Sequence, residues 1–193
     1  MALSKSFIFK KEKEHIEALN KSKDVFIKTL PKLYNKLKNT FDSNNKLMVC
    51  GNGGSAADAM HFSGEFVSKF KSSSRHPLPC LCLNTNISTM TSIGNDFAYK
   101  DLFKRQILAY GVKNDCILLL STSGESLNVI EAAKIAKNNN IFVISFTGKK
   151  KTILDKYSDL VFKIPSLKTD IIQEIQMFYL HLICDSFENY KKK

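Results

Sequence analysis

Five short apolar runs recur along the chain: Leu47 to Cys50, Pro79 to Leu83, Ile117 to Leu120, Ile141 to Phe146 and Leu160 to Ile164, each separated from the next by a segment long enough to be helical. Apolar residues that run on without alternating with polar ones mark strands covered on both faces. Such strands alternating with helices imply an open parallel sheet with right-handed crossovers. The expected fold class is therefore α/β, a three-layer, mainly five-stranded parallel sheet flanked by helices. A chain of 193 residues makes one such domain, and no linker or low-complexity block divides it.

Two segments lie outside this rhythm. Residues 12 to 44 carry Ile16, Leu19, Phe26, Ile27, Leu30, Leu33 and Leu37 at helical spacing, and Pro31 is expected to break or kink the run into one or two amphipathic helices. Residues 1 to 44 thus read as an N-terminal helical extension for oligomer packing, with residues 45 to 193 forming the sheet core and the last helix. That helix is expected over about Thr169 to Tyr190, capped by Thr169 or Asp170. It is apolar on every side through Ile171, Ile172, Ile175, Met177, Phe178, Tyr179, Leu180, Leu182 and Ile183. A helix with no polar face needs cover all round, so a second subunit is expected to complete its burial.

Composition narrows the functional classes. No apolar stretch approaches the roughly 20 residues of a membrane-spanning helix, and the start of the chain lacks the apolar core of an export leader, so a cytoplasmic protein is expected. The five cysteines are odd in number and mostly lie in apolar runs; Cys80 and Cys82 form a CxC pair without a second pair, so packing is the better reading than a disulfide or zinc knuckle. The net charge is +11, yet only Arg75 and Arg105 are arginines. Nucleic-acid binders usually add arginine forks or stacking aromatics, so this charge reads as a solvated lysine coat, ending in the tail Lys191 to Lys193.

Two strand-to-helix junctions have the chemistry of anion sites. The first is Gly51-Asn-Gly-Gly-Ser-Ala-Ala-Asp58, whose glycines allow a sharp turn and close approach, with Asn52 and Ser55 adding hydrogen-bonding groups. A dinucleotide loop would be followed by an acidic residue after the next strand, but Asn84-Thr-Asn stands there, and no Gly-Lys-Ser/Thr of a nucleoside-triphosphate loop follows. The second is Ser121-Thr-Ser-Gly-Glu-Ser126, with four hydroxyls at a helix start near Leu127. Each loop alone is also explained as a glycine turn or an N-cap; both on one sheet point to a phosphate-bearing ligand.

The titratable groups come from two helices. His61 and Glu65 are one turn apart after the first loop, and Gln173 and His181 lie on nearly one side of the last helix. Two imidazoles and two oxygen donors suit zinc or another borderline divalent ion if they converge. Glu65 also suits a carbon acid's base and His181 the opposing acid. His15 and His76 stand in polar surroundings and read as incidental.

The stretches Gly51 to His61, Gly64-Glu-Phe, Ile93-Gly-Asn-Asp96, Ser121 to Asn128, and Ile172-Gln-Glu with His181 resemble the bacterial phosphoheptose isomerases of the sugar-isomerase (SIS) fold. The resemblance runs from about Leu47 into the last helix. It implies conversion of sedoheptulose 7-phosphate to D-glycero-D-manno-heptose 7-phosphate, for lipopolysaccharide or capsule, by a cytoplasmic homotetramer with sites between subunits and one zinc ion in each. It further implies His61, Glu65, Gln173 and His181 as metal ligands, Glu65 and His181 as the catalytic pair, and Asn52, Gly53, Gly54, Ser55, Glu65, Asn95, Asp96, Ser121, Thr122, Ser123, Ser126 and Gln173 as substrate-binding residues. A zinc-bound carboxylate is a poorer base, so Glu65 stands in two roles that compete. The chain departs from the family at Gln176, where a histidine is frequent, and at Lys69, where arginine is usual.

Two rival readings remain. One is a noncatalytic module of the same fold, either docking on a replication initiator or sensing sugar phosphates; retention of both Glu65 and His181 weighs against it. The other is an isomerase of a different phosphosugar, because the loops address phosphate more obviously than chain length.

Overall fold

The computed structural model describes residues 4–191; Met1 to Leu3, and Lys192 and Lys193 of the lysine tail, lie outside the described residues. Helix α1 (Lys5–Asp42) leads into strand β1 (Leu47–Gly51), followed by α2 (Gly54–Val67), β2 (Cys80–Cys82), α3 (Ile87–Asp96), a 3-10 turn (Tyr99–Asp101), α4 (Leu102–Tyr110), β3 (Cys116–Ser121), α5 (Leu127–Asn138), β4 (Phe142–Thr147), α6 (Ile153–Lys156), β5 (Leu160–Lys163) and α7 (Thr169–Ser186). All five strands pair in parallel in the order β2-β1-β3-β4-β5. This is the expected α/β sheet, and every expected strand is present to within a residue or two at its ends.

The side chains of each strand divide between two cores because successive residues point to opposite faces. Leu47, Val49, Leu118, Leu120, Ile144 and Phe146 pack with α1, α2 and α7 on one face. Met48, Cys50, Ile117, Leu119 and Val143 pack with α3, α4, α5 and α6 on the other. Burial of both faces is the physical reason the strands read as continuous apolar runs.

Of the one or two helices expected around Pro31 the structure has one, and two expectations for the last helix are corrected. The N-terminal helix is a single element of 38 residues that passes through Pro31 without ending. A proline removes one backbone donor, but Phe26, Leu33 and Leu37, each 1% exposed, anchor the helix on both sides of it. Phe26 also stacks on Tyr179 of α7 with ring centroids 3.3 Å apart, beside a Ser22–Tyr179 hydroxyl bond of 2.9 Å. The last helix ends at Ser186, short of Tyr190, and its N-cap position is Lys168, not Thr169 or Asp170. Asp170 instead sits in the first turn, where its carboxylate accepts a 2.7 Å bond from Lys11.

The α7 surface is not apolar all round as expected, because Asp170, Glu174 and Asp185 are exposed on it. Ile171, Ile172, Ile175, Tyr179, Leu180 and Ile183 are buried within the chain, whereas Phe178 and Leu182 remain exposed. No helix among the described residues is long and apolar enough to cross a membrane.

Candidate active site

In the sheet order, β1 has β2 on one side and β3 on the other, so the chain's direction of progress across the sheet reverses between β1 and β3. A crevice opens at such a switch point, outside the carboxyl ends of the two strands. Both candidate anion loops start there, one from Gly51 and the other from Ser121.

The first loop is shaped by its glycines. Gly53 has φ +55°, a left-handed conformation that glycine adopts without a Cβ penalty, and it forms the N-cap of α2. Gly54 lies against the end of the Gln173 side chain, so a Cβ there would only push that flexible amide aside. The end of β1 is clamped by Asn84, whose Nδ2 donates to the Gly51 carbonyl at 2.9 Å while its Oδ1 accepts from the Gly51 N–H at 3.2 Å. Asn84 occupies the place where a dinucleotide fold would present an acid, and that substitution was its one signal in the sequence. Ser55 is buried under the turn.

The second loop is tied more locally. Ser121 Oγ and Ser123 Oγ accept from the backbone N–H groups of Gly124 and Glu125 at 3.1 and 3.2 Å. Ser126 forms the N-cap of α5 without a side-chain cap bond. Thr122 and Ser123 line a cavity of about 260 Å³ together with Gly148, Lys149, Lys150 and Ile172. Both lysines are exposed, consistent with the solvated lysine coat.

The two loops are joined by a pair that the sequence reading did not identify. Asn52 Nδ2 donates to Asn128 Oδ1 at 2.8 Å, and Asn128 Nδ2 donates to Asn52 Oδ1 at 2.9 Å. Tyr99 Oη donates to the same Asn52 oxygen at 3.1 Å. Asn128 is 2% exposed. Asn95 and Asp96 lie exposed at the end of α3, bonded to each other at 2.7 Å, and no bond of theirs to either loop is present among the described residues.

The titratable groups lie where α2 and α7 run side by side. Gln173 packs on Gly54, Gln176 Nε2 donates to Asp58 Oδ2 at 2.8 Å, and His61 Nε2 faces His181 Nε2 at 3.0 Å, so position after position pairs along the two helices. Glu65 Oε1 is 3.6 Å from His61 Nε2, and Phe70 stacks on the His181 ring with centroids 5.6 Å apart. His61, Glu65 and His181 are thus brought together, while Gln173 lies at the loop end of α7, about 12 Å of helix rise before His181. Two imidazole nitrogens and a carboxylate oxygen match the donor preference of a borderline divalent ion. Among the described residues, however, no three His, Cys, Asp or Glu side chains stand as a ready group of ligands.

The family departures can be placed as well. Gln176 is fully buried between the helices, with its Oε1 lacking a partner, and burial outweighs its bond in raising the pKa of the half-buried Asp58 carboxyl. Lys69 is exposed just past the end of α2. Of the incidental histidines, His15 bonds Glu174 at 2.7 Å and His76 borders an open groove beside β2.

Comparison with known proteins agrees with this geometry. The family model described as "SIS domain" matches residues 10–148. A phosphoheptose isomerase of Helicobacter pylori is 39% identical over 91% of this chain and 91% of its own, and one of Clostridium acetobutylicum is 40% identical over 95% and 94%. The solved phosphoheptose isomerase of Neisseria gonorrhoeae superposes with a TM-score of 0.89 at 30% identity, covering 96% of this chain and 98% of that one. With its parallel sheet, its paired loops and relatives alike over nearly their whole length, the chain belongs to the SIS-domain family, among the phosphoheptose isomerases.

Proposed function

We propose that this chain is a phosphoheptose isomerase that converts sedoheptulose 7-phosphate to D-glycero-D-manno-heptose 7-phosphate. The observation that carries the reading is the meeting of Glu65, His61 and His181 two turns along α2 from a glycine loop suited to an anion. Seven residues of helix between Gly54 and His61 span about 10 Å. A phosphate gripped at the loops leaves the C1–C2 end of an extended seven-carbon sugar beside the imidazoles.

The helix starts of α2 and α5 offer free N–H groups and the positive ends of their dipoles to the phosphate, with the hydroxyls of Thr122 and Ser123 alongside. Isomerisation takes a proton from one carbon of the C1–C2 unit and delivers one to its neighbour through an enediol. Glu65 is the base that takes the proton, and His181 is the acid that serves the oxygen opposite. The short His61–His181 contact needs a proton on one Nε2, so the state of one ring sets what the other can donate.

His61, Glu65 and His181 would hold zinc; Gln173, whose amide packs on Gly54, is named as a fourth ligand by the family resemblance alone. Bound there, it would polarise the sugar's carbonyl and favour the enediolate's charge. The exposed Phe178 and Leu182 on α7, with Ile16 and Ile27 on α1, support an oligomer, proposed as a tetramer with sites completed between subunits. A cytoplasmic place in heptose supply for lipopolysaccharide or capsule follows from the same reading. Incubating purified protein with sedoheptulose 7-phosphate and, separately, with pentose and hexose phosphates tests it. Formation of the aldoheptose phosphate alone is expected; turnover of a shorter sugar in preference would transfer the enzyme to another phosphosugar.

A further inference from the structure

Arg75 is one of two arginines in the chain, and its side chain is only 1% exposed. Its guanidinium donates from Nη2 to the backbone carbonyl of Glu65 and from Nη1 to that of Phe66, the latter at 3.1 Å. Both carbonyls belong to the last turn of α2, where no further helical N–H is available to them and where a helix otherwise frays. The Leu78 N–H adds a second bond to Phe66 at 3.0 Å.

The charge of Arg75 is met from the other helix. Glu188, just beyond the end of α7, lies 3.3 Å from Arg75 Nε, with its side chain 11% exposed. The same carboxylate accepts from the backbone N–H groups of Ser72 at 2.8 Å and Lys71 at 3.3 Å, and Lys71 Nζ reaches Asp185 at 2.6 Å. The segment after α2 is therefore fastened to the end of α7, beyond His181. The planar fork bonds two carbonyls at once while its Nε, which makes no hydrogen bond among the described residues, stands in ion-pair range of the carboxylate, an arrangement a lysine ammonium does not reproduce.

We infer that Arg75, braced by Glu188, is a positioning residue that holds the Glu65 turn of α2 in fixed offset from His181 on α7. It touches no reacting atom; it acts through the backbone of Glu65. The inference rests on the reading of Glu65 and His181 as the catalytic pair. The anion loops lie at the opposite, N-terminal ends of α2 and α5, so loosening the clamp disturbs proton transfer and spares phosphate binding.

Steady-state kinetics with sedoheptulose 7-phosphate separates the two effects. A misplacement of about 1 Å costs on the order of a hundredfold in rate, so Arg75→Lys is expected to lower kcat by about 10- to 100-fold with KM within about twofold. Glu188→Gln, which keeps its size and an acceptor for Ser72, is expected to act in the same direction but less strongly, and serves if the lysine variant fails to fold. An unchanged kcat in a folded variant, or a rise in KM in place of the fall, overturns the inference. Histidine-labelled NMR reads the alignment without substrate: Glu188→Gln should shift the resonances of His61 and His181 and leave that of His15 in place, and unmoved His61 and His181 overturn the clamp. If the wild-type protein leaves the sugar unconverted, the isomerase reading falls, while the NMR result still decides the clamp.

Discussion

Asn52 and Asn128 face each other in a reciprocal pair of amide bonds, 2.8 and 2.9 Å long, that joins the glycine loop after β1 to the helix behind the hydroxyl loop after β3. Both side-chain atoms of Asn52 are thereby engaged, with Tyr99 adding a further donor. The pair fixes the distance between the two candidate anion loops, which come from different parts of the chain.

Replacing Asn128 with alanine removes both bonds and leaves Asn52 Nδ2 without its partner, while Tyr99 still donates to Asn52 Oδ1. An unmet buried polar group costs about 1–3 kcal/mol, so KM for the sugar phosphate is expected to rise about tenfold, with kcat changed less. Because the effect runs through Asn52, the double variant with Asn52→Ala should be little worse than Asn52→Ala alone. Additive losses in that double-mutant cycle would show that the two asparagines act separately.

Glu65→Gln keeps the size of the side chain and removes its ability to take a proton. The Glu65 carboxylate approaches His61 at 3.6 Å and makes no other ion pair among the described residues, so the fold should survive. General-base catalysis contributes about 10²- to 10⁴-fold; kcat should fall by at least that lower figure while circular dichroism and the oligomeric state stay as in wild type. Normal turnover by the variant would remove Glu65 from the mechanism.

Elemental analysis of protein purified without chelator should find about one zinc per subunit, and His61→Ala should lower that content substantially. Chelation followed by zinc return should take activity away and restore it. Unchanged metal in the alanine variant would exclude His61 as a ligand.

Asp115 offers a pH test far from the chemistry. Burial would raise its pKa, but the backbone N–H groups of Lys46 and Val112, the Lys46 ammonium and the Asn45 amide together hold it below the ordinary carboxylate value. A depressed folded pKa means that the stabilisation is present above the unfolded value of about 3.9 and disappears as pH falls through the folded one. Asp115→Asn should therefore destabilise the protein by about 2–4 kcal/mol at neutral pH. The gap between the two denaturation curves should narrow as the pH drops below about 4.

All five cysteines are buried, and burial raises each thiol's pKa, that of Cys116 to about 11. The thiolate is the reactive form. Iodoacetamide at neutral pH should leave the native protein unmodified and label all five thiols in denaturant, as mass spectrometry would count; rapid labelling of the folded protein would show that the packing is looser than this.

The sheet was legible because its strands are buried on two faces, which leaves runs such as Ile117 to Leu120 with nothing polar to interrupt them. The two loops were legible as candidates because both stand at strand ends of one sheet, although each alone also reads as a glycine turn or an N-cap. Pro31 left one helix or two open in the sequence; the structure has one, as local backbone preference yields there to the packing of Phe26, Leu33 and Leu37. Asn128, Tyr99 and Arg75 gave no local signal: an asparagine on a helix, a tyrosine in a turn and a lone arginine look alike whether bonded or free.

Local chemistry, then, was enough to establish the layers of the fold, the residue types at each strand end and the spacing of His61 with Glu65 on one helical face. It could not say that α7 lies beside α2 with His181 against His61, that Asn52 meets Asn128 across 76 positions, or that Glu188 braces Arg75 across 113. Periodicity records which face of an element is buried, because that depends on neighbours within a turn or two. Which element arrives to bury it depends on the order of strands in the sheet, and that is settled only when the whole chain packs.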